Sequence, residues 1–139
     1  MTAKEYLSEI RELREKIRKL ELRAEELQTA AEGLRAIRYD RIRVQTSVVD
    51  QMTEILAERA VIVVEMERER NVCEMKIRVR EDQIARLDKK IHRDILTALY
   101  LDPNIRSLGD AARALHYEYT YLSKVHGEAL AEFQERYIT

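Results

Sequence analysis

The chain has 139 residues, 37% of them charged and 45% hydrophobic, which suits one domain or two small ones built of long solvated helices and excludes a thick globular core. Its 25 Lys and Arg against 26 Asp and Glu give a formal charge of -1, which excludes the global basic field that drives non-specific nucleic-acid binding. No apolar run reaches membrane-span length, the opening MTAKEYLSEI lacks a signal-peptide core, and Cys73 is alone, so the sequence reads as a soluble, reducing-compartment protein that uses neither a membrane nor an internal disulfide.

The first element is a ladder of Tyr6, Ile10, Leu13, Ile17, Leu20, Ala24, Leu27, Ala31 and Leu34, whose alternating spacings of four and three form an a/d heptad seam. Thr2 and Glu5 supply a capping box, and a helix from Thr2 to about Ile37 is on the order of 50 Å long at 1.5 Å per residue. Such a helix cannot bury its stripe alone. Glu5, Glu9, Glu12, Glu15, Lys16 and Lys19 fill other positions as a solvated face.

A second seam begins after the stretch YDRIRVQTSVVDQM and runs through Met52, Leu56, Val63, Met66, Cys73, Ile77, Ile84, Leu87 and Ile91. Arg59, Arg70 and Arg80 interrupt it, where long cationic stems either snorkel outward or fix one register. Folding back at about Val44 sets Leu34 opposite Met52, Leu20 opposite Met66 and Ile10 opposite Lys76 and Ile77, which predicts an antiparallel coiled-coil hairpin over residues 1–83 with a loop near 39–47. Ile55 and Ile62 fall outside that pairing and motivate a homodimer through the coiled coil. Ser47 with Asp50 reads as a capping box for the second helix. Arg35, Arg38, Arg41 and Arg43, with only Asp40 among them, concentrate positive charge at the tip; they suit DNA backbone, an acidic protein surface or plain solvation.

Residues 84–139 then predict a three-helix unit, the whole chain being all-α. A helix carrying Ile84, Leu87, Ile91, Ile95 and Leu99 ends at Asp102, Pro103 and Asn104. The stretch SLGDAARALHYEYTYLSKVHG, Ser107 to Gly127, scans as a helix, a tight turn and a second helix of DNA-reading type. Small or apolar residues stand where the helices must touch, at Ala111, Ala112, Leu115, Tyr117, Leu122 and Val125. Ser107 and Asp110 form the capping box, and His116 occupies the turn where glycine is common, so it must adopt a positive φ or redirect the chain. The degenerate pattern also fits small helices packing only on themselves.

TAKEYLSEI at the start, DRIRVQTS at Asp40–Ser47, ILTALYL at Ile95–Leu101, AARAL at Ala111–Leu115 and YLSKVHGEAL at Tyr121–Leu130 resemble, in order and spacing, small phage and prophage transcriptional activators of RinA and ArpU type. The helix-turn-helix stretch also resembles the fourth region of bacterial sigma factors. Departures are Asn104 to Ser107, where the family carries an aromatic, and Glu118, where it has a serine cap. The resemblance implies control of transcription at phage promoters, most simply activation, by a nucleoid-associated protein in the cytoplasm of a bacterial host, with double-stranded DNA and RNA polymerase as partners.

In that geometry the helix beginning near Tyr119 lies in the major groove, with Tyr119, Thr120, Tyr121, Ser123 and Lys124 facing bases. Lys124 suits guanine acceptors or phosphate, Thr120 and Ser123 suit several base edges, and the tyrosines suit sugars, thymine methyls or, for Tyr117 above all, the core. Arg106, Arg113 and His126 suit phosphate, simple solvation or, for His126, a capping or core role.

Catalytic chemistry finds no support, because Gly-rich phosphate loops, nucleophile elbows and HExxH are all lacking and His92, His116 and His126 stand without metal-ligand spacing. The expectation is a non-enzyme with no cofactor, metal or small-molecule substrate. From Ile84 onward eight basic residues balance eight acidic ones, so the head alone should bind DNA weakly and act paired or recruited beside polymerase. A coiled-coil structural or adaptor protein that binds only other proteins is the alternative.

Overall fold

The structure, a computed structural model, describes residues 1–40 and 45–138, with only the backbone described at 37–40 and 45–46. The described residues contain five α-helices and no strand, the all-α class expected: α1 Ala3–Asp40, α2 Gln45–Ala85, α3 Lys90–Leu96, α4 Leu108–Leu115 and α5 Tyr119–Phe133. The chain widens into π-helical turns at Thr97–Leu101, after α3, and Gln134–Ile138, after α5. No helix among the described residues is long and apolar enough to cross a membrane.

The start of α1 follows from local chemistry. Glu5 N–H donates to Thr2 Oγ1 at 3.2 Å and Thr2 N–H donates to Glu5 Oε2 at 3.2 Å, the reciprocal capping box. The helices extend further toward the expected loop than the sequence suggests. Helix continues through Asp40 and resumes at Gln45, so Ser47 lies inside α2 instead of capping it.

The chain divides into two compact units, Arg14–Val72 on one hand and Met1–Leu13 with Cys73–Thr139 on the other. In the first unit two antiparallel helices bury Ile17, Ala24, Leu27, Ala31 and Val48. Lys16 pairs with Glu69 at 3.0 Å, Arg23 with Glu58 at 3.1 Å, and Arg70 with Glu21. Ala24 and Gln28 line one depression with Arg59 and Val63, and Ala31 lines another with Met52, the register that sets Leu20 near Met66 and Leu34 near Met52. Ile55 and Ile62, expected outside the hairpin, are half-buried. Arg59 is a seam arginine whose Nε is buried without a hydrogen-bond partner among the described residues.

The second unit shows why a boundary at residue 83 does not describe the packing. Leu7 and Ile10 from the first turns of α1 are fully buried together with Ile84, Leu87, Ile95, Leu96, Leu122 and Phe133. Each such side chain contributes roughly 1.5–3 kcal/mol by leaving water. The Tyr6 and Phe133 rings lie 5.8 Å apart, Tyr6 Oη donates to Gln83 Oε1 at 2.7 Å, and Ala3 N–H donates to Gln134 Oε1 at 2.5 Å. Arg80 does not snorkel outward. It is 3% exposed, ion-paired to Glu9 at 2.5 Å, and its guanidinium carbon lies 3.9 Å from the Tyr6 ring centroid.

The helix expected from Ile84 to Leu99 is broken at Arg86–Lys89, where neither glycine nor proline stands. Side chains from α3 and from the end of the chain's helical part satisfy the backbone groups that the break exposes. Arg93 Nη1 donates to the carbonyls of Leu87 at 2.5 Å and Asp88 at 3.1 Å, Asp88 N–H donates to Glu132 Oε1 at 3.1 Å, and Arg136 Nη1 donates to Arg86 O. Burying Leu87 accompanies the turn. Tertiary bonds thus override a periodicity that read as one continuous helix.

Candidate functional site

The helix pair of α4 and α5 is fixed by short-range chemistry at its start and its turn. Ser107, in extended conformation, accepts from Asp110 N–H at 3.1 Å and caps α4. Asp110 in turn accepts from Arg113 and from Arg106 N–H, and these hydrogen bonds, Arg113 first, hold its carboxyl below the ordinary value. His116 ends α4 at φ 62°, the left-handed region, as the turn required. Its neighbour Tyr117 N–H donates to Ala112 O at 3.0 Å, the six-to-one bond of a Schellman cap.

Between the two helices Ala111, Ala112, Leu122 and Val125 are buried and Leu115 is half-buried. Tyr117, expected at the same contact, is 41% exposed and lies against Tyr121 with ring centroids 5.7 Å apart. The left-handed residue before it sends the chain out of the helix pair, so the ring covers the flank of α5 and not the core.

All five expected base-facing residues, Tyr119, Thr120, Tyr121, Ser123 and Lys124, are exposed. Helical spacing puts Thr120, Ser123, Lys124 and Gly127 along the outward ridge of α5, opposite Leu122, Val125 and Ala129, with Tyr119 and Tyr121 on its two flanks. A Cβ at Gly127 would meet nothing within 4 Å, so the ridge is open there. It offers two hydroxyls and an ammonium between aromatic walls. Lys124 makes no ion pair among the described residues.

The three expected phosphate contacts separate. Arg113 has an 80% exposed side chain, already paired with Asp110 at 2.5 Å. Arg106 is exposed. His126 is half-buried, and its Nε2 shares a 2.8 Å hydrogen bond with the Tyr100 hydroxyl. Burial first, and then the charge of Lys4, push its imidazole below the ordinary 6.5. Its hydrogen bond to Tyr100 seats α5 from behind, in line with the core role that the sequence also allowed. Tyr100 is itself buried, and that burial pushes its hydroxyl up to about 12.

A supporting residue escaped sequence reasoning. Arg11, from α1, donates to the carbonyls of Leu99, Ile105 at 3.3 Å and Arg106 at 3.4 Å, and its guanidinium lies 5.9 Å from the Tyr100 ring centroid. One side chain therefore ties down both the π-helical turn and the loop that leads into α4. Nothing within a local sequence window signals this contact, since the partners are 88 to 95 positions away.

At the hairpin tip Arg35 is exposed, Arg38 is described only in its backbone, and Arg41 and Arg43 lie outside the described residues. Among the described residues no cluster of three His, Cys, Asp or Glu side chains could hold a metal ion. No family model, curated protein or solved structure matches the chain.

Proposed function

We propose that the chain is a phage-type, sequence-specific DNA-binding regulator of transcription, most simply an activator, that lays α5 in the major groove of double-stranded DNA in the bacterial cytoplasm. The observation that carries this reading is the division of α5 into a buried side, Leu122, Val125 and Ala129, against Ala111 and Ala112, and an outward ridge of Thr120, Ser123 and Lys124. A reading helix must be seated on its partner and leave its early outward residues free to reach base edges. Lys124 donates to guanine acceptors, the hydroxyls of Thr120 and Ser123 bond base edges, and Tyr119 and Tyr121 flank them against sugars or thymine methyls. Arg106 and Arg113 supply phosphate contacts, Arg113 by exchanging Asp110 for a phosphate. Because the head is charge-balanced, it works beside a second protein surface, RNA polymerase above all.

Titration against the DNA flanking the gene itself, repeated across salt, tests the reading. Affinity should exceed that for random duplex and fall as salt rises. Lys124→Ala and Thr120→Ala should each weaken the specific complex by about 1–3 kcal/mol. Equal affinity for both duplexes would remove the proposal. The exposure of Tyr117, Tyr119 and Tyr121 favours a second reading, an adaptor that presents an aromatic patch to protein, since tyrosines anchor such interfaces. An adaptor shows neither salt-dependent nor sequence-dependent DNA binding.

A further inference from the structure

Within the unit Arg14–Val72, α2 is apolar on two opposite sides. One side packs on α1 through Val48, Met52, Ile55, Val63 and Met66. On the other side Ala57, Val61, Val64, Arg68 and Val72 recur at spacings of four, three, four and four, so they share one ridge. Among the described residues nothing within this unit covers that ridge: Val61 is 68% exposed and Val64 56%. Around them Ala60, Val61, Val64, Glu65, Arg68 and Glu69 line a shallow, open depression. β-branched residues lower helix propensity, and exposed to water they gain no burial in return. Single exposed apolar residues are ordinary, whereas several along one ridge, here interrupted only by Arg68, mark an interaction surface.

The charges beside the ridge select its occupant. Glu54, Glu65 and Glu67 make no ion pair among the described residues, whereas Glu58 and Glu69 are already held by Arg23 and Lys16. Arg68 is the only basic residue on this side among the described residues. The face is therefore an apolar stripe with acidic borders. A second copy of the chain fits it poorly. Parallel pairing sets Arg68 on its own copy, and a two-fold axis at the centre of the ridge, near Val64, sets Glu65 on its own copy, both unfavourable like-charge contacts.

We infer that this face of α2 is a docking site for an amphipathic helix of another protein, one with an apolar stripe bordered by lysine or arginine. The ridge from Ala57 to Val72 is about 22 Å long at 1.5 Å per residue, room for four turns of a partner helix lying along it. The site is separate from the proposed reading helix and does not depend on DNA binding.

The test uses the full chain and two labelled helical peptides of about 18 residues, with identical leucine stripes and either lysine or glutamate borders. In fluorescence anisotropy the lysine-bordered peptide should bind at least about ten-fold more tightly than the glutamate-bordered one, and more weakly at high salt. Val64→Glu, and separately Val61→Ser, should abolish binding while the thermal melt and the DNA titration stay as in the parent chain. Converting Glu54, Glu65 and Glu67 together to Gln should remove the preference between the peptides. Light scattering should give the mass of one chain over the same concentrations. A two-chain mass that falls to one chain in Val64→Glu would assign the ridge to self-association and overturn the inference. Equal binding of both peptides, or of neither, overturns it as well.

Discussion

Replacing Glu9 by alanine should destabilise the protein more than replacing its partner Arg80 by methionine. The Arg80 guanidinium bonds in three directions: to Glu9 Oε2 at 2.5 Å, to Tyr6 O through Nε at 3.2 Å, and to Lys76 O through Nη1 at 3.2 Å. Glu9→Ala leaves that charge inside without a counter-charge, facing carbonyls, the Tyr6 ring and the Lys76 ammonium that shared the same carboxylate. Removing one partner of a buried pair costs about 3–5 kcal/mol, and because Glu9 is 30% exposed, water reaches the gap and reduces the expected loss to about 2–3 kcal/mol. Arg80→Met removes the charge together with its desolvation and keeps most of the stem volume. The expected cost is about 1 kcal/mol or less. Arg80→Met added to Glu9→Ala should therefore recover most of the loss. Urea unfolding followed by circular dichroism measures all three chains. If Arg80→Met is as damaging as Glu9→Ala, or the double variant does not recover, then the hydrogen bonds of the guanidinium matter more than its unpaired charge, and the reasoning fails. Acid gives a parallel check. The Lys76 hydrogen bond above all holds the Glu9 carboxyl below its ordinary 4.5, so its contribution is full above that value and is lost as pH falls through the lower folded one.

Three further outcomes follow from single residues. His116→Gly removes a side chain from a left-handed position, so the melting temperature should rise by an amount equivalent to about 1 kcal/mol; no change would place no strain there. Arg59→Met should stabilise the hairpin by about 1–2 kcal/mol in urea unfolding, because it removes a buried Nε without a partner, and a loss of stability would show that the guanidinium is bonded in solution. As pH falls below about 6.5 the unfolded chain takes up a proton at His126 before the folded chain does, so stability should decline there. His126→Gln, which can keep a bond to Tyr100, should flatten that part of the pH profile, and an unaltered profile would assign it elsewhere.

What was legible in the sequence follows the range of the interaction behind it. The Thr2 and Glu5 cap, the Ser107 and Asp110 cap and the positive φ at His116 are decided within a few residues, and local reasoning reaches them. The register of α1 on α2 was also readable, because a heptad seam repeats one signal many times. The break at Arg86–Lys89 was not, since its backbone groups are satisfied by Arg93, Glu132 and Arg136, and the last two lie dozens of positions away. His126 stayed open between phosphate, solvent and core because its partner Tyr100 sits 26 positions earlier. Tyr117 read as core because spacing alone does not show which way the chain leaves a left-handed turn. The valines of α2 blurred its periodicity, as apolar residues on two opposite sides cancel one another in any one-faced pattern.

The bond from Ala3 N–H to Gln134 joins residues 131 positions apart. On a ribosome adding 5–20 residues per second, the first turns of α1 wait on the order of ten seconds before the residues that cover Leu7 and Ile10 exist. The unit of Met1–Leu13 with Cys73–Thr139 is thus closed only after α5 has been made, and a growing chain that still lacks α5 leaves its first turns without their packing partners. Synthesis itself times the onset of any activity that depends on α5, and Leu7 and Ile10 stay open to water until then.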